Sequence, residues 1–478
     1  MGKEDILLPL DSGYLNEYET EEQERRNNEA AEEIKEVIDN TFMDFGVQAK
    51  VKDYIVGASF TRYNIELAHN VSVRSLSNLI CDIQIRLGGI SVRYDALSLG
   101  SYTPGIEVEN PICRTVSLKD LYDALPPVDK HPLAIPLGEK VNGEVAWVDI
   151  PNTPHMLVCG TTGSGKSMFI NSMITSLVMR NSPEQLKLVL FDPKRVELNR
   201  YKELPHLLCP IVHEANTAKD VLVELTNELE RRYNSFFDTN SSNINEYNED
   251  AKQNGVEKYP YIVVIIDEYA DLVDADKTIY NPVISLAQKA RAAGIYLVVA
   301  TQRPSTNVVT GVLKANMPTH IALMTANMVD SMTIIGESGA EKLLGKGDML
   351  VQSPAVTRSG VIRLQGSFVH RTEIKRVIDD VKEHWTVKYD PHFLFNREPD
   401  PEVVVIERKQ TFDDVEEKRY QDIKRWVITQ DYMSISRIQR ECGVGFNRAG
   451  RYFLRLQQEG IISTEITKHG APVIKKAS

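Results

Sequence analysis

The chain has 478 residues, 42% hydrophobic and 26% charged, the balance of an ordinary globular protein with room for more than one core. Its formal net charge of −12 argues against a generic polycationic nucleic-acid coat, and no run approaches the ~20 apolar residues needed to span a bilayer. The acidic N-terminus lacks an apolar signal core and the five cysteines form no CxxC pair, so a cytoplasmic protein without a disulfide framework or structural zinc is expected.

Residues 1–40 form an acidic lead-in segment. Glu21, Glu22, Glu24, Glu29, Glu32, Glu33 and Glu36 stand among few apolar residues, which predicts a solvated helix or a flexible arm. Residues 41–127 change character. The run VQAKVKDYIVGASFTRYNIELA alternates as half-buried strands do, and Leu76, Leu79, Ile80 and Ile83 share a helical face closed by Gly88 and Gly89. With ISVRYDA and GIEVEN this predicts a small α+β domain. Over 128–390 the runs HMLVCG, KLVLFDP, YIVVIID, IYLVVATQ and THIALMT are short and rich in Val, Ile and Leu. They predict buried strands of a parallel sheet, with 238–257 as a polar surface excursion. Residues 391–414, with Pro391, Pro399 and Pro401, predict a linker. Residues 415–478 turn basic, with twelve Lys and Arg against seven Asp and Glu.

The segment Gly160-Thr161-Thr162-Gly163-Ser164-Gly165-Lys166-Ser167 matches G-x-x-x-x-G-K-[ST], with a strand before it and an apolar helix after it. The glycines let backbone N–H groups curl toward phosphates, and the helix N-terminus adds positive potential. Lys166 is expected on the β- and γ-phosphates of ATP, and Ser167 on Mg²⁺. About a hundred residues on, the run Tyr261–Ile266 ends in Asp267 and Glu268. These suit Mg²⁺ with its waters and the attacking water, respectively. Gln302, directly after IYLVVAT, is either a γ-phosphate sensor or an ordinary strand-end residue. Arg291 is expected on a helix before that strand, either as a surface ion-pair partner or as a finger entering a neighbouring subunit's site, with Arg303 as its rival.

Near the C-terminus, Ser434 is a plausible N-cap for a helix, Gly443 and Gly445 make a turn, and residues 446–456 form a second helix with Tyr452, Phe453 and Leu456 on one face. This predicts a helix-turn-helix. Asn447, Arg448 and Arg451 lie where base contacts are usually made, and 464–476 suits a wing. Protein contact is the alternative use of the motif.

These segments resemble the FtsK/SpoIIIE family over about residues 40–478. The resemblance rests on HMLVCGTTGSGKS, FDPKRVEL, IVVIIDEYADL, LAQKARAAGI, ATQRPS, TGVLKANMP, GAEKLLGKGDML and SISRIQRECGVGFNRAGR. It implies an α domain (41–127), a RecA-like P-loop β domain (128–390) and a winged-helix γ domain (415–478). It further implies an ATP-driven hexameric ring translocating double-stranded DNA, with recombinase or transfer-machinery partners. A conjugative or phage DNA-transfer ATPase and an ATP-switched DNA-binding regulator are the alternatives. Family roles fall on Lys166, Ser167, Asp267, Glu268 and Gln302, the trans-acting arginine on Arg291, and DNA reading on Asn447, Arg448 and Arg451. The chain shows neither the four membrane helices nor the long linker of better-known members, which implies either a soluble member, such as one from a mobile element, or a truncated form. The family's pore segment reads near K-I-D-S-R-T-I. Here Met328 and Met332 replace its two cations, which leaves Lys314, Asn327 or Thr325 as possible phosphate contacts.

Overall fold

The computed structural model describes residues 9–95, 103–357, 360–395, 404–405, 412–443, 446–464 and 471–474. They divide into two compact units, one within 1–229 and 260–406, the other within 230–259 and 407–478.

The first unit opens with a strap, not a loose arm. Leu10 and Leu15 are buried in the larger core, the Tyr14 hydroxyl donates to Asp380 at 2.9 Å, and the Asn16 N–H donates to Glu373 at 2.7 Å. Helix α1 (Glu21–Asp44) follows, with Glu21, Glu22 and Glu24 in its first turn, where carboxylates favour the helix dipole. The expectation of a solvated segment is corrected on its inner face. Ala31, Ile34, Ile38 and Phe42 recur at helical spacing and are buried. They cover a four-stranded antiparallel sheet in the order β1 (Ala49–Val56), β2 (Phe60–Leu67), β4 (Gly105–Glu109), β3 (Val92–Asp95). Helix α2 (Val73–Arg86) starts at the Ser72 cap and adds Leu76, Leu79 and Ile83 to the same core.

The larger sheet has nine strands in the order β6-β5-β13-β12-β11-β7-β10-β9-β8. In chain order they are β5 (Ala134–Glu139), β6 (Val145–Asp149), β7 (Met156–Cys159), β8 (Leu186–Phe191), β9 (Tyr261–Ile266), β10 (Ile295–Thr301), β11 (Thr319–Leu323), β12 (Asp348–Gln352) and β13 (Ile362–Gln365). The five strands expected from their apolar runs are β7 to β11, and they are mutually parallel, as expected. The other four extend the sheet antiparallel from β11, an addition the sequence patterns did not show. Along the chain come α3 (Leu118–Asp123), α4 (Lys166–Arg180), α5 (Ala215–Thr239), α6 (Ile244–Asn254), α7 (Tyr269–Ala275), α8 (Tyr280–Lys289), α9 (Gly311–Ala315), α10 (Met328–Ile335) and α11 (Arg371–His384). Residues of β7, β10 and β11 are buried throughout, as strands covered on both faces must be. In register, Thr301 lies opposite Cys159 and Val299 opposite Ile266. The C-terminal ends of these strands therefore share one edge of the sheet, the usual ligand edge of such folds.

The second unit includes α6, so the polar excursion is not irregular throughout. Asn243 caps α6 and Gly255 closes it at φ +67°. It also holds α12 (Phe412–Ile428), α13 (Ile435–Cys442) and α14 (Phe446–Gln458), packed through Tyr420, Val427, Ile438, Ala449, Tyr452, Phe453 and Leu456. The Ser434 hydroxyl accepts from the Arg437 N–H, and Gly443 ends α13 in the left-handed region at φ +62°. Residues Tyr432–Met433 pair antiparallel with Ala471–Pro472, and Ile462 bridges Val473. This is a winged helix. Its wing tip, 465–470, lies outside the described residues, as does most of the expected linker.

Candidate functional site

Strand β7 ends at Cys159 and α4 begins at Lys166, so residues 160–165 must reverse the chain in six positions. Gly165 does so at φ +105°, where a side chain would be strained. A Cβ on Gly165 would also collide with the backbone of Gly347. The loop is tied down from both sides. The Thr161 N–H and hydroxyl donate to the Met324 carbonyl at 2.9 and 3.0 Å, and the N–H groups of Lys346 and Gly347 donate to the carbonyls of Gly163 and Ser164 at 3.1 and 2.8 Å. Its mouth is open: a Cβ on Gly163 would meet nothing within 4 Å. Ser164 Oγ is buried without a hydrogen-bond partner.

Lys166 reaches across to β9. Its Nζ donates to the Asp267 side chain at 3.0 Å and also contacts the Asp267 carbonyl oxygen. Both side chains are almost fully buried. Burial pushes the Asp267 carboxyl above the usual range, and Lys166 opposes that shift. Ser167 lies half-buried beside Lys166 in the first turn of α4. Glu268 is buried next to Asp267. Its Oε1 accepts from the Thr301 hydroxyl at 2.6 Å and the Gln302 N–H at 3.0 Å, and its Oε2 accepts from the same N–H at 3.1 Å and from Lys194 Nζ at 3.1 Å. Gln302 closes the circle, its Oε1 accepting from the Thr162 hydroxyl at 3.3 Å. The structure thus brings Gly160 to Ser167, Asp267, Glu268 and Gln302 to one edge of the sheet. The open loop, the orphaned Ser164 hydroxyl and the Lys–Asp pair suit a triphosphate with one divalent cation.

Arg291 is not at this site in its own chain. It stands in the turn beyond α8, not on the helix, and precedes β10. The seven residues of β10 separate it from Gln302, a span of about 20 Å. Arg303 lies close to the site but is bound at home, 2.7 Å from Asp271 and 2.8 Å from Asp274. Asn447 and Arg448 fall in α14, but their side chains lie outside the described residues. Arg451 pairs with Asp238 of its own unit and lies 5.6 Å from the Phe237 ring centre.

Sequence reasoning assigned no role to Lys194 or Thr301. Lys194 follows β8, and Thr301 ends a strand beside the one that ends in Asp267 and Glu268. The usable signal was topological: in a parallel sheet, polar residues that end adjacent strands meet at one edge.

Of the alternatives for segment 328–334, Thr325 is buried and its hydroxyl donates to the Asn327 carbonyl at 3.2 Å. Lys314 donates to the Thr333 carbonyl at 3.0 Å. Asn327 caps α10, while Met328, Val329 and Met332 are exposed. No described helix is long and apolar enough to cross a membrane.

Three family models match in succession: the FtsK alpha domain over residues 9–110, the FtsK/SpoIIIE family over 118–306 and the FtsK gamma domain over 414–470. The DNA translocase FtsK of Lactiplantibacillus plantarum is 38% identical over 429 residues, covering 88% of this chain and 53% of that protein. The DNA translocase FtsK of Staphylococcus aureus strain Mu50 is 40% identical over 437 residues, covering 90% of this chain and 54% of that protein. The chain therefore spans about half the length of the curated relatives it matches. In fold alone, it resembles the cytoplasmic domain of the Thermomonospora curvata type VII secretion ATPase EccC, with TM-score 0.50 at 21% identity over 56% of this chain and 33% of that one. With the phosphate loop, the acidic strand end and the winged helix each inside a matched segment, the chain belongs to the FtsK/SpoIIIE family.

Proposed function

We propose that this chain is an ATP-hydrolysing translocase of double-stranded DNA that works as a ring of identical subunits, with six as the expected number. The observation that carries the reading is the meeting of Lys166, Asp267, Glu268 and Gln302 at the open phosphate loop. A protein that only stored nucleotide would not need a second carboxylate beside that loop.

In this reading Lys166 leaves Asp267 for the β- and γ-phosphates when ATP binds. Ser167 and Asp267 would hold Mg²⁺, which would neutralise phosphate charge. Glu268 accepts a proton from the water that attacks the γ-phosphorus, and the bond from that phosphorus to the bridging oxygen of ADP breaks. Gln302, linked to Thr162, senses the loss of the γ-phosphate. Arg291, far from its own site, serves a neighbour's, where a trans arginine raises the rate by about 10³–10⁵. Helix α10 faces the duplex, and the winged helix reads its sequence through Asn447, Arg448 and Arg451. The domain division at 41–127, 128–390 and 415–478 belongs to the same proposal.

The test is Lys166→Ala. Duplex-stimulated phosphate release and displacement of a triplex from duplex DNA should both fall to background. Triplex displacement at the parent rate would refute the assignment.

A further inference from the structure

Glu268 is the proposed base, yet no part of its carboxylate is free to meet a water. A carboxylate offers about four lone-pair positions. Here the Thr301 hydroxyl and the Gln302 N–H occupy Oε1, and the same N–H and Lys194 Nζ occupy Oε2. The three donors differ in mobility. Thr301 is fully buried in β10, and the Gln302 donor belongs to the backbone. Lys194 is on a flexible side chain that is 40% exposed. Its backbone is fixed, because the Asp192 carbonyl accepts from the Arg195 N–H at 3.1 Å and the Asp192 carboxylate accepts from the Leu198 N–H at 3.0 Å. A second acceptor already waits nearby. Asp271, in the first turn of α7, gives its Oδ1 to Arg303 at 2.7 Å and holds its Oδ2 3.7 Å from Lys194. A short swing of one ammonium exchanges one carboxylate for the other.

We infer that Lys194 is a latch on Glu268: its ammonium occupies Oε2 while the enzyme idles and frees that oxygen by moving to Asp271. Lys194 is thus a positioning residue that acts through Glu268. The inference rests on the proposed role of Glu268 and adds a control on unproductive hydrolysis. DNA binding then stimulates turnover by favouring the Asp271 partner, since a ligand shifts a two-state element only by its differential affinity for the two states.

The experiment compares steady-state ATP turnover of the full chain with and without duplex DNA for Lys194→Met, Lys194→Arg, Asp271→Asn and Glu268→Gln. Lys194→Met should raise the DNA-independent kcat by roughly tenfold, the factor that matches one lost charge-assisted hydrogen bond. Its KM for ATP should stay within about twofold, which separates a change in the chemical step from a change in binding. The ratio of stimulated to unstimulated turnover should therefore collapse, and Lys194→Arg, which keeps a cationic donor, should restore most of it. Asp271→Asn should lower the stimulated kcat by weakening the alternative partner. If Lys194→Met lowers both rates in proportion, or changes neither, the latch is wrong. Should that variant melt below the assay temperature, Asp271→Asn decides, and an unchanged stimulated rate overturns the idea. Glu268→Gln separates the two levels: parental turnover removes the base assignment itself, whereas a dead Glu268→Gln beside an inert Lys194→Met removes only the latch.

Discussion

Arg363 shows how much one side chain can carry. Its Nε and one terminal nitrogen bind Asp348 at 2.9 and 2.7 Å, its other terminal nitrogen binds Glu107 at 2.7 Å, and its guanidinium lies 4.0 Å from the Phe60 ring centre. Burial alone would raise the Glu107 carboxyl, but Arg93 and Arg363 outweigh it and hold the group below the usual range. A buried pair adds little over an apolar replacement, whereas removing one partner strands the other in the interior. Arg363→Met should therefore cost about 3–5 kcal/mol of unfolding free energy, measured by urea denaturation. Arg363→Lys should rescue little, because an ammonium cannot supply the planar fork. A loss below ~1 kcal/mol would mean that water reaches these carboxylates. None of this was legible in the sequence, since Arg363 and Glu107 stand 256 residues apart and each looks like an ordinary strand charge. Lys166 and Ser167 were legible because their chemistry sits in one contiguous motif. Lys194 and Thr301 were not, because their meaning arises only where separate strands end side by side.

At the scale of elements, legibility followed hydrophobic contrast. Strands β7 to β11 announced themselves as unbroken Val, Ile and Leu runs. Strands β5, β6, β12 and β13 carry Pro136, Gly138, Glu139, Asp149, Asp348 and Arg363 within their limits, which blurred any period. Helix α1 was read as solvated because its glutamates outnumber the four apolar positions that face the sheet. The winged helix was legible from Ser434, Gly443 and the Tyr452–Leu456 face. Helix α10 carries its own prediction. Met328, Val329 and Met332 are exposed on it, so it offers apolar contact where a duplex would reward cations. Changing Met328→Lys together with Met332→Arg should tighten duplex binding and steepen the dependence of log K on log salt by about 0.9 per new phosphate contact. A salt titration with an unchanged slope would place α10 away from the DNA path.

For the whole molecule, acidity is the telling variable. Burial, with Arg291 adding to it, pushes His155 down to about 4, and burial, with Lys187 adding to it, does the same for His206. His155 also accepts the Leu297 N–H at its Nδ1, which requires a neutral ring. The unfolded chain binds these protons near pH 6.5, so it holds more protons than the folded chain between about 6.5 and 4. Stability is therefore full above that window and falls as pH drops through it, by about 3 kcal/mol per histidine. The urea midpoint should fall between pH 7.5 and 5, and His155→Gln with His206→Gln should flatten the decline; an equally steep decline in the double variant would assign it elsewhere. Another long-range dependence lies behind the phosphate loop, where Gly165 and Gly347 meet back to back. Gly347 itself sits at φ +96°, with Gln365 and Gly366 closing over it. Damage to the nucleotide site can thus be inherited from outside the eight-letter signature, and a survey of natural variants that inspects only that signature would score a replaced Gly347 as harmless.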